Sequence, residues 1–112
     1  MLKQRSGSVV SINAARDERV GSMMTKGGLN TLTRRLAIEY ASHGLRFNAV
    51  APGVVDTPMH GDVPRESLAK AQPMGKVSEV NDIVDAVLYL TRASEITGEV
   101  LDVDGGSHAG CW

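Results

Sequence analysis

Ser22 and Lys26 stand four residues apart. On a helix that spacing puts a hydroxyl and an ammonium group on one face. Lys26 lies near the start of an expected helix, an end whose dipole favours anions and gives a cation nothing. It reads either as an exposed, solubilising lysine or as a lysine aimed at a ligand. In the second role it would hold ligand hydroxyls or lower the pKa of a neighbouring acid group. A serine hydroxyl is a much weaker acid than a phenol, so Ser22 is a poor proton donor.

Other candidates stand where expected strands end. Ligands of parallel α/β sheets bind beyond the carboxyl ends of the strands. Three segments occupy such places: Asn13-Ala14-Ala15, Ala51-Pro52-Gly53 and Asp104-Gly105-Gly106. In the middle one, Pro52 stiffens the exit and Gly53 lets the backbone approach a flat ligand, with the Thr57 hydroxyl a few residues on. A Pro-Gly turn after a strand is equally at home as plain structure. His43, His60 and His108 show no metal-ligand spacing among themselves, so no metal site is expected. His60 falls in a possible substrate loop. Tyr40 and Tyr89 are the two tyrosines. Tyr40 lies 14 residues from Lys26, about 21 Å along a helix axis, too far to act beside it. The periodic setting of Tyr89 predicts a packing role.

These residues need a scaffold, and the apolar pattern supplies one. Val9 to Ile12 reads as a short buried strand after Gly7. A helix is expected from about Met23 to Ser42, with Leu29, Leu32, Leu36 and Tyr40 on its apolar face. His43-Gly44 stops it. Gly27 and Gly28 weaken it by about 1 kcal/mol each relative to alanine, which suits a place where another element comes close. Leu45 to Val50 alternates as a second strand. Residues 54–77 form a long irregular stretch with a short helix around Glu66 to Ala71. A stretch of that kind is often a lid or binding loop. A helix from Glu79 to Leu90 follows, with Ser78 as N-cap and Ile83, Val84, Val87 and Leu88 as its apolar side. Val100 to Val103 makes the last strand.

Strand, helix, strand, loop, helix, strand is a parallel α/β order. Three strands are few, and the edge beside Val9 to Ile12 needs cover, so further structure is expected upstream. The start, Met1-Leu2-Lys3-Gln4, resembles the end of a helix.

The 112 residues suffice for one small domain, are 42% hydrophobic and 22% charged, and carry a net charge of -1. That balance argues against a nucleic-acid surface, and Arg16, Arg34 and Arg35 do not make one. The single cysteine, Cys111, excludes a disulfide framework. No apolar run reaches the ~18 residues of a membrane span, and no signal peptide is visible at the start. A cytoplasmic location is the default expectation.

Taken in order, several segments resemble one family. They are Gly7-Ser8-Val9-Val10-Ser11-Ile12-Asn13, Thr25-Lys26-Gly27-Gly28-Leu29, Arg46 through Gly53, Thr57-Pro58-Met59, and Ile96 through Gly106. Together they are similar to the C-terminal half of a short-chain dehydrogenase/reductase. The resemblance implies a partial Rossmann-like α/β fold: a three-stranded parallel sheet with flanking helices, half of a doubly wound sheet, as one unit over residues 1–112. It also implies hydride exchange between NAD or NADP and an alcohol or carbonyl. By this resemblance Lys26 would hold the nicotinamide ribose. Pro52, Gly53 and Val55 would pack on and bond to the nicotinamide end, and Thr57 would bond nearby. Residues 54–77 would close over the substrate and cofactor.

The departures fall at the chemistry. Ser22 stands where the family places its tyrosine, and Ala14 where it places a serine. Arg16-Asp17-Glu18-Arg19 fill the shortened interval between them. The glycine-rich phosphate loop and the catalytic asparagine belong to the other half. The expectation is therefore a family oxidoreductase that is inactive or very weak alone. The alternatives are a non-catalytic oligomerisation or partner-binding module, or a truncated product with no selected function. A homo-oligomer or association with a homologous chain is the expected assembly, with a small-molecule substrate if any activity survives.

Overall fold

The structure is a computed structural model that describes residues 6–12, 20–53, 65–70 and 72–109, with the side chains of the first helix described from Gly27 onward. The elements are β1 (Gly7–Ile12), α1 (Val20–Tyr40), β2 (Leu45–Pro52), α2 (Arg65–Ala69), α3 (Val80–Arg92) and β3 (Val100–Val103). Single 3-10 turns at Ala41–His43 and Ser107–Ala109 follow α1 and β3. No described helix is long and apolar enough to cross a membrane.

The strands form one parallel sheet in the order β1-β2-β3. Gly7 pairs with Leu45 and Ile12 with Val50, while Ala49 pairs with Val100 and Pro52 with Val103. The Gly7 N–H donates to the Gly44 carbonyl at 3.3 Å. In a parallel ladder alternate residues turn their peptide groups to the same side. Gly7, Val9 and Ser11 thus bond to β2, and Ser8, Val10 and Ile12 turn theirs to the open edge.

Side-chain parity divides the two faces of β2. Val50 packs with Ile83, Ala86 and Leu90 of α3, joined by Val10, Val87, Ile96, Leu101 and Val103. On the other face Phe47 meets Tyr40 of α1, ring centroids 5.8 Å apart. The two crossover helices therefore cover opposite faces of three consecutive parallel strands. The β1-α1-β2 and β2-α3-β3 connections must then be of opposite hand, and one of them departs from the usual right-handed rule.

Polar residues on β2 are absorbed by the chain around α3. Arg46 donates from Nη1 to the carbonyls of Leu90 and Ala93 and from Nη2 to that of Thr91, each at 2.8 Å. These are carbonyls that the end of α3 leaves without helical partners. Asn48, 1% exposed, donates to the Ile96 carbonyl and accepts from the Glu99 N–H, both at 3.0 Å.

The helices differ from expectation in how they are rotated. The expected apolar face of α1 is only half turned inward: Leu36 and Tyr40 are half-buried, whereas Leu29 and Leu32 are exposed. Thr33 and Ala37 are buried instead, flanked by half-buried Asn30, Leu36 and Tyr40. Small residues let the helix come close. A Cβ on Gly98 would lie 3.3 Å from the Ala37 Cβ, and the Thr33 hydroxyl bonds back to the Leu29 carbonyl at 2.9 Å. Nothing lies within 4 Å of where a Cβ on Gly27 or Gly28 would stand, so no described element makes the expected close approach there.

In α3, Ile83, Ala86 and Leu90 are buried, whereas Val84, Leu88 and Tyr89 are exposed. The packing role expected for Tyr89 does not hold. The N-cap is Glu79, not Ser78, and its N–H donates to the Asp82 carboxylate at 2.8 Å. Ser78 is drawn into the interior, 6% exposed.

Candidate site at the carboxyl ends of the strands

Strand direction locates the site. α1 ends beside the start of β2, where Gly44 (φ 75°) turns the chain, so its first turns lie toward the carboxyl ends of the strands. Lys26 is about 21 Å up the axis from Tyr40 at 1.5 Å per residue. Pro52 is about 23 Å up β2 from Leu45 at 3.3 Å per residue. The backbone of Lys26 is thus level with the Pro52-Gly53 turn, and Ser22 lies one helical turn beyond. Tyr40 stands at the opposite end against Phe47 and His43.

Pro52 and Gly53 are both buried. Pro52 has no N–H, and the Gly53 N–H is spent on the Val103 carbonyl at 3.0 Å. A Cβ on Gly53 would collide with Gln72 Oε1 and would lie 2.7 Å from the Asp104 Cβ. Glycine is required there by packing, and the turn offers a shaped floor with no free N–H donor.

Gln72, 1% exposed, is the hub of this corner. Its Nε2 donates to the Lys76 carbonyl at 2.7 Å and approaches the Ser78 hydroxyl at 3.5 Å. A Cβ on Gly105 (φ 61°) would lie 3.0 Å from the Gln72 side chain. The Met74 N–H donates to the Gly105 carbonyl at 3.0 Å, and Gly75 to that of Gln72 at 2.8 Å. The return of the chain after α2 is thereby fastened between the ends of β2 and β3.

Beside it, Asp104 organises the turn after β3. Its Oδ1 accepts from the Gly106 N–H at 3.1 Å and lies 2.9 Å from His108 Nδ1, while Oδ2 accepts from the His108 N–H at 3.0 Å. Burial alone would raise its pKa. The His108 ring and the two N–H donors outweigh that, and the carboxyl is held below its usual value. Ligand atoms of Asp102, Asp104 and His108 lie within 4.8 Å of one another. Spacing among the histidines alone had no way to reveal this group, which joins one histidine to two aspartates. The Asp104 oxygens are already engaged within the turn.

The expected site residues Val55 and Thr57 fall outside the described residues, as do Ala14, the 16–19 charge run and His60. Ser22 and Lys26 are described as helix backbone only. The residues missed in the sequence are Gln72, Arg46 and Asn48. None belongs to a pattern, since each acts on backbone groups distant in sequence.

The family model described as enoyl-(acyl carrier protein) reductase matches residues 1–108. The human 3-oxoacyl-[acyl-carrier-protein] reductase is 39% identical over 111 residues, covering 95% of this chain and 47% of that protein. Among solved structures, ElxO with NADP bound aligns at a TM-score of 0.86 and 28% identity, over 98% of this chain and 50% of that one. A crystal structure assigned to a short-chain dehydrogenase/reductase from Burkholderia xenovorans aligns at 0.87 and 31% identity, over 100% of this chain and 47% of that one. The chain thus spans about half the length of these relatives.

Proposed function

Because this chain belongs to the short-chain dehydrogenase/reductase family of NAD(P)-dependent oxidoreductases, we propose that it forms the nicotinamide-side wall of such a site and completes little or no turnover alone. What supports this reading is that α1 (Val20–Tyr40) and β2 (Leu45–Pro52) are long enough, at about 1.5 and 3.3 Å per residue, to bring the Lys26 backbone level with the Pro52-Gly53 turn. ElxO, whose fold matches over 98% of this chain, was solved with NADP, which supports NAD or NADP as the cofactor class.

In this reading the cofactor, when bound, supplies or accepts the hydride. Lys26 holds the ribose hydroxyls, Pro52 and Gly53 floor the nicotinamide end, and Val55 and Thr57 bond beside it. Residues 54–77 cover substrate and cofactor. A carbonyl that receives hydride at carbon also needs a proton at oxygen. Ser22, at the tyrosine position, is too weak an acid to give it readily, which sets the expectation of little or no turnover. A cytoplasmic location belongs to the same reading, on composition alone.

NADPH fluorescence titration of the 112-residue chain tests the proposal. Weak, saturable binding is expected, falling about tenfold or more in Lys26→Met, the loss of one charge-assisted hydrogen bond. No reduction of simple carbonyls is expected. Binding untouched by Lys26→Met, or brisk turnover with Ser22 in place, overturns the reading.

Association is favoured by a separate observation. Leu29 and Leu32 are exposed on one flank of α1 at 37% and 53%, and an exposed apolar flank supports a homo-oligomer or a homologous partner. Sedimentation of the purified chain checks it, and a monomer at all concentrations refutes self-association.

A further inference from the structure

We infer that the turn after β3 binds one first-row divalent cation of the zinc class, ligated by His108 Nε2 and the Asp102 carboxylate, with Asp104 holding the histidine from behind. Leu101 and Val103 face α3, so Asp102 between them, paired with Ala51, turns to the opposite face of the sheet. Nothing in this site depends on the cofactor reading.

Three observations converge. First, the His108 ring is oriented as a metal-binding histidine is. Its Nδ1 lies 2.9 Å from Asp104 Oδ1. An ionised carboxylate only accepts, so Nδ1 carries the proton, and in the neutral ring the lone pair stands on Nε2. Metal-binding histidines almost always donate their other ring N–H in this way, to a carboxylate, a carbonyl or a water. Second, Nε2 faces another carboxylate, with Asp102 Oδ2 at 4.0 Å. That is too far for a hydrogen bond. Zinc bonds of about 2.0–2.2 Å to imidazole nitrogen and carboxylate oxygen would set the two atoms about 3.4 Å apart at a tetrahedral angle. The His108 side chain is 50% exposed, and a small swing of the ring closes that gap without moving the backbone. Third, the orienting group is fixed. Asp104 is 7% exposed, and its oxygens accept from the Gly106 and His108 N–H groups at 3.1 and 3.0 Å. Gly105 and Gly106, at φ 61° and 97°, fold the chain so that His108 returns over β3.

The donor set selects the cation. One imidazole nitrogen and one carboxylate oxygen suit zinc and its neighbours, whereas magnesium and calcium take oxygen ligands. Water completes the coordination on the exposed side of the ring. The competing arrangement is an imidazolium paired with both aspartates and no cation.

The test titrates zinc chloride into the tag-free 112-residue chain carrying Cys111→Ser, so that no thiol competes for the ion. Calorimetry should show one saturable equivalent of zinc and no comparable uptake of magnesium. Imidazole nitrogen NMR should place the metal on His108 Nε2, with the proton kept on Nδ1. His108→Ala and Asp102→Asn should each weaken binding about tenfold or more while the circular dichroism of the chain stays unchanged. His43→Ala and His60→Ala should leave the affinity as it is. No saturable zinc uptake overturns the inference in favour of the ion-paired arrangement. So does binding that survives His108→Ala or Asp102→Asn, binding lost in His43→Ala or His60→Ala, or magnesium held as tightly as zinc.

Discussion

Single residues at the strand ends decide whether the corner closes. Gly53 and Gly27 make a matched pair of tests. Gly53→Ala thrusts a Cβ into Gln72 and Asp104 and should destabilise the chain by about 1–3 kcal/mol. Gly27→Ala meets nothing within 4 Å and should stabilise it by about 0.5–1 kcal/mol through helix propensity. Thermal melts of the two variants should move in opposite directions. Asp104 offers a pH test. Its carboxyl is held below the usual 3.8 in the folded chain, so the unfolded chain takes up the proton more readily. Its contribution is complete above the unfolded value and disappears as the pH falls through the folded one. Acid should therefore weaken wild-type stability below about pH 4, and Asp104→Asn should show a shallower dependence in urea melts at stepped pH. The Asp104-Gly105-Gly106 and Pro52-Gly53 turns were legible in the sequence because turn chemistry is local. The bonds of Gln72 to Lys76 and its contact with Gly53 were not, since a buried glutamine signals nothing until the distant strand ends are brought together.

At the level of elements, the three strands and α3 follow from short apolar runs, and the parallel order from their alternation with helices. The rotation of α1 does not. Its leucines suggest one face, but backbone proximity rewards small residues, so Thr33 and Ala37 are buried while Leu29 and Leu32 stay outside. Arg46 shows a second limit of periodicity. It alternates as a polar strand residue, yet it holds three carbonyls at and just beyond the end of α3. Arg46→Ala should cost about 2–3 kcal/mol, with local loss of exchange protection in the last turn of α3. Arg46→Lys should recover only part of this, because an ammonium lacks the fork that reaches three acceptors. Equal stability of the lysine and arginine forms would show that charge alone suffices. The helices on opposite faces are equally hard to read from order, because identical strand-helix-strand strings serve either hand.

Across the whole molecule, both faces of the sheet carry a helix while the β1 edge stays free among the described residues. The opposite corner is closed. Gly53, at the exit from β2, and Gln72, at the return of the chain, touch one another. The two residues that flank the 54–71 interval therefore stand side by side. The length of that interval is a nearly free variable, since doubling a loop with joined ends costs only about 0.6 kcal/mol. Exchanging residues 58–64 for a longer segment from a relative should leave the melting temperature within a few degrees. The same exchange carried through Gln72 should not. The corner works as a socket: evolution, or an engineer, can swap whatever plugs into it and leave the frame that holds it unchanged.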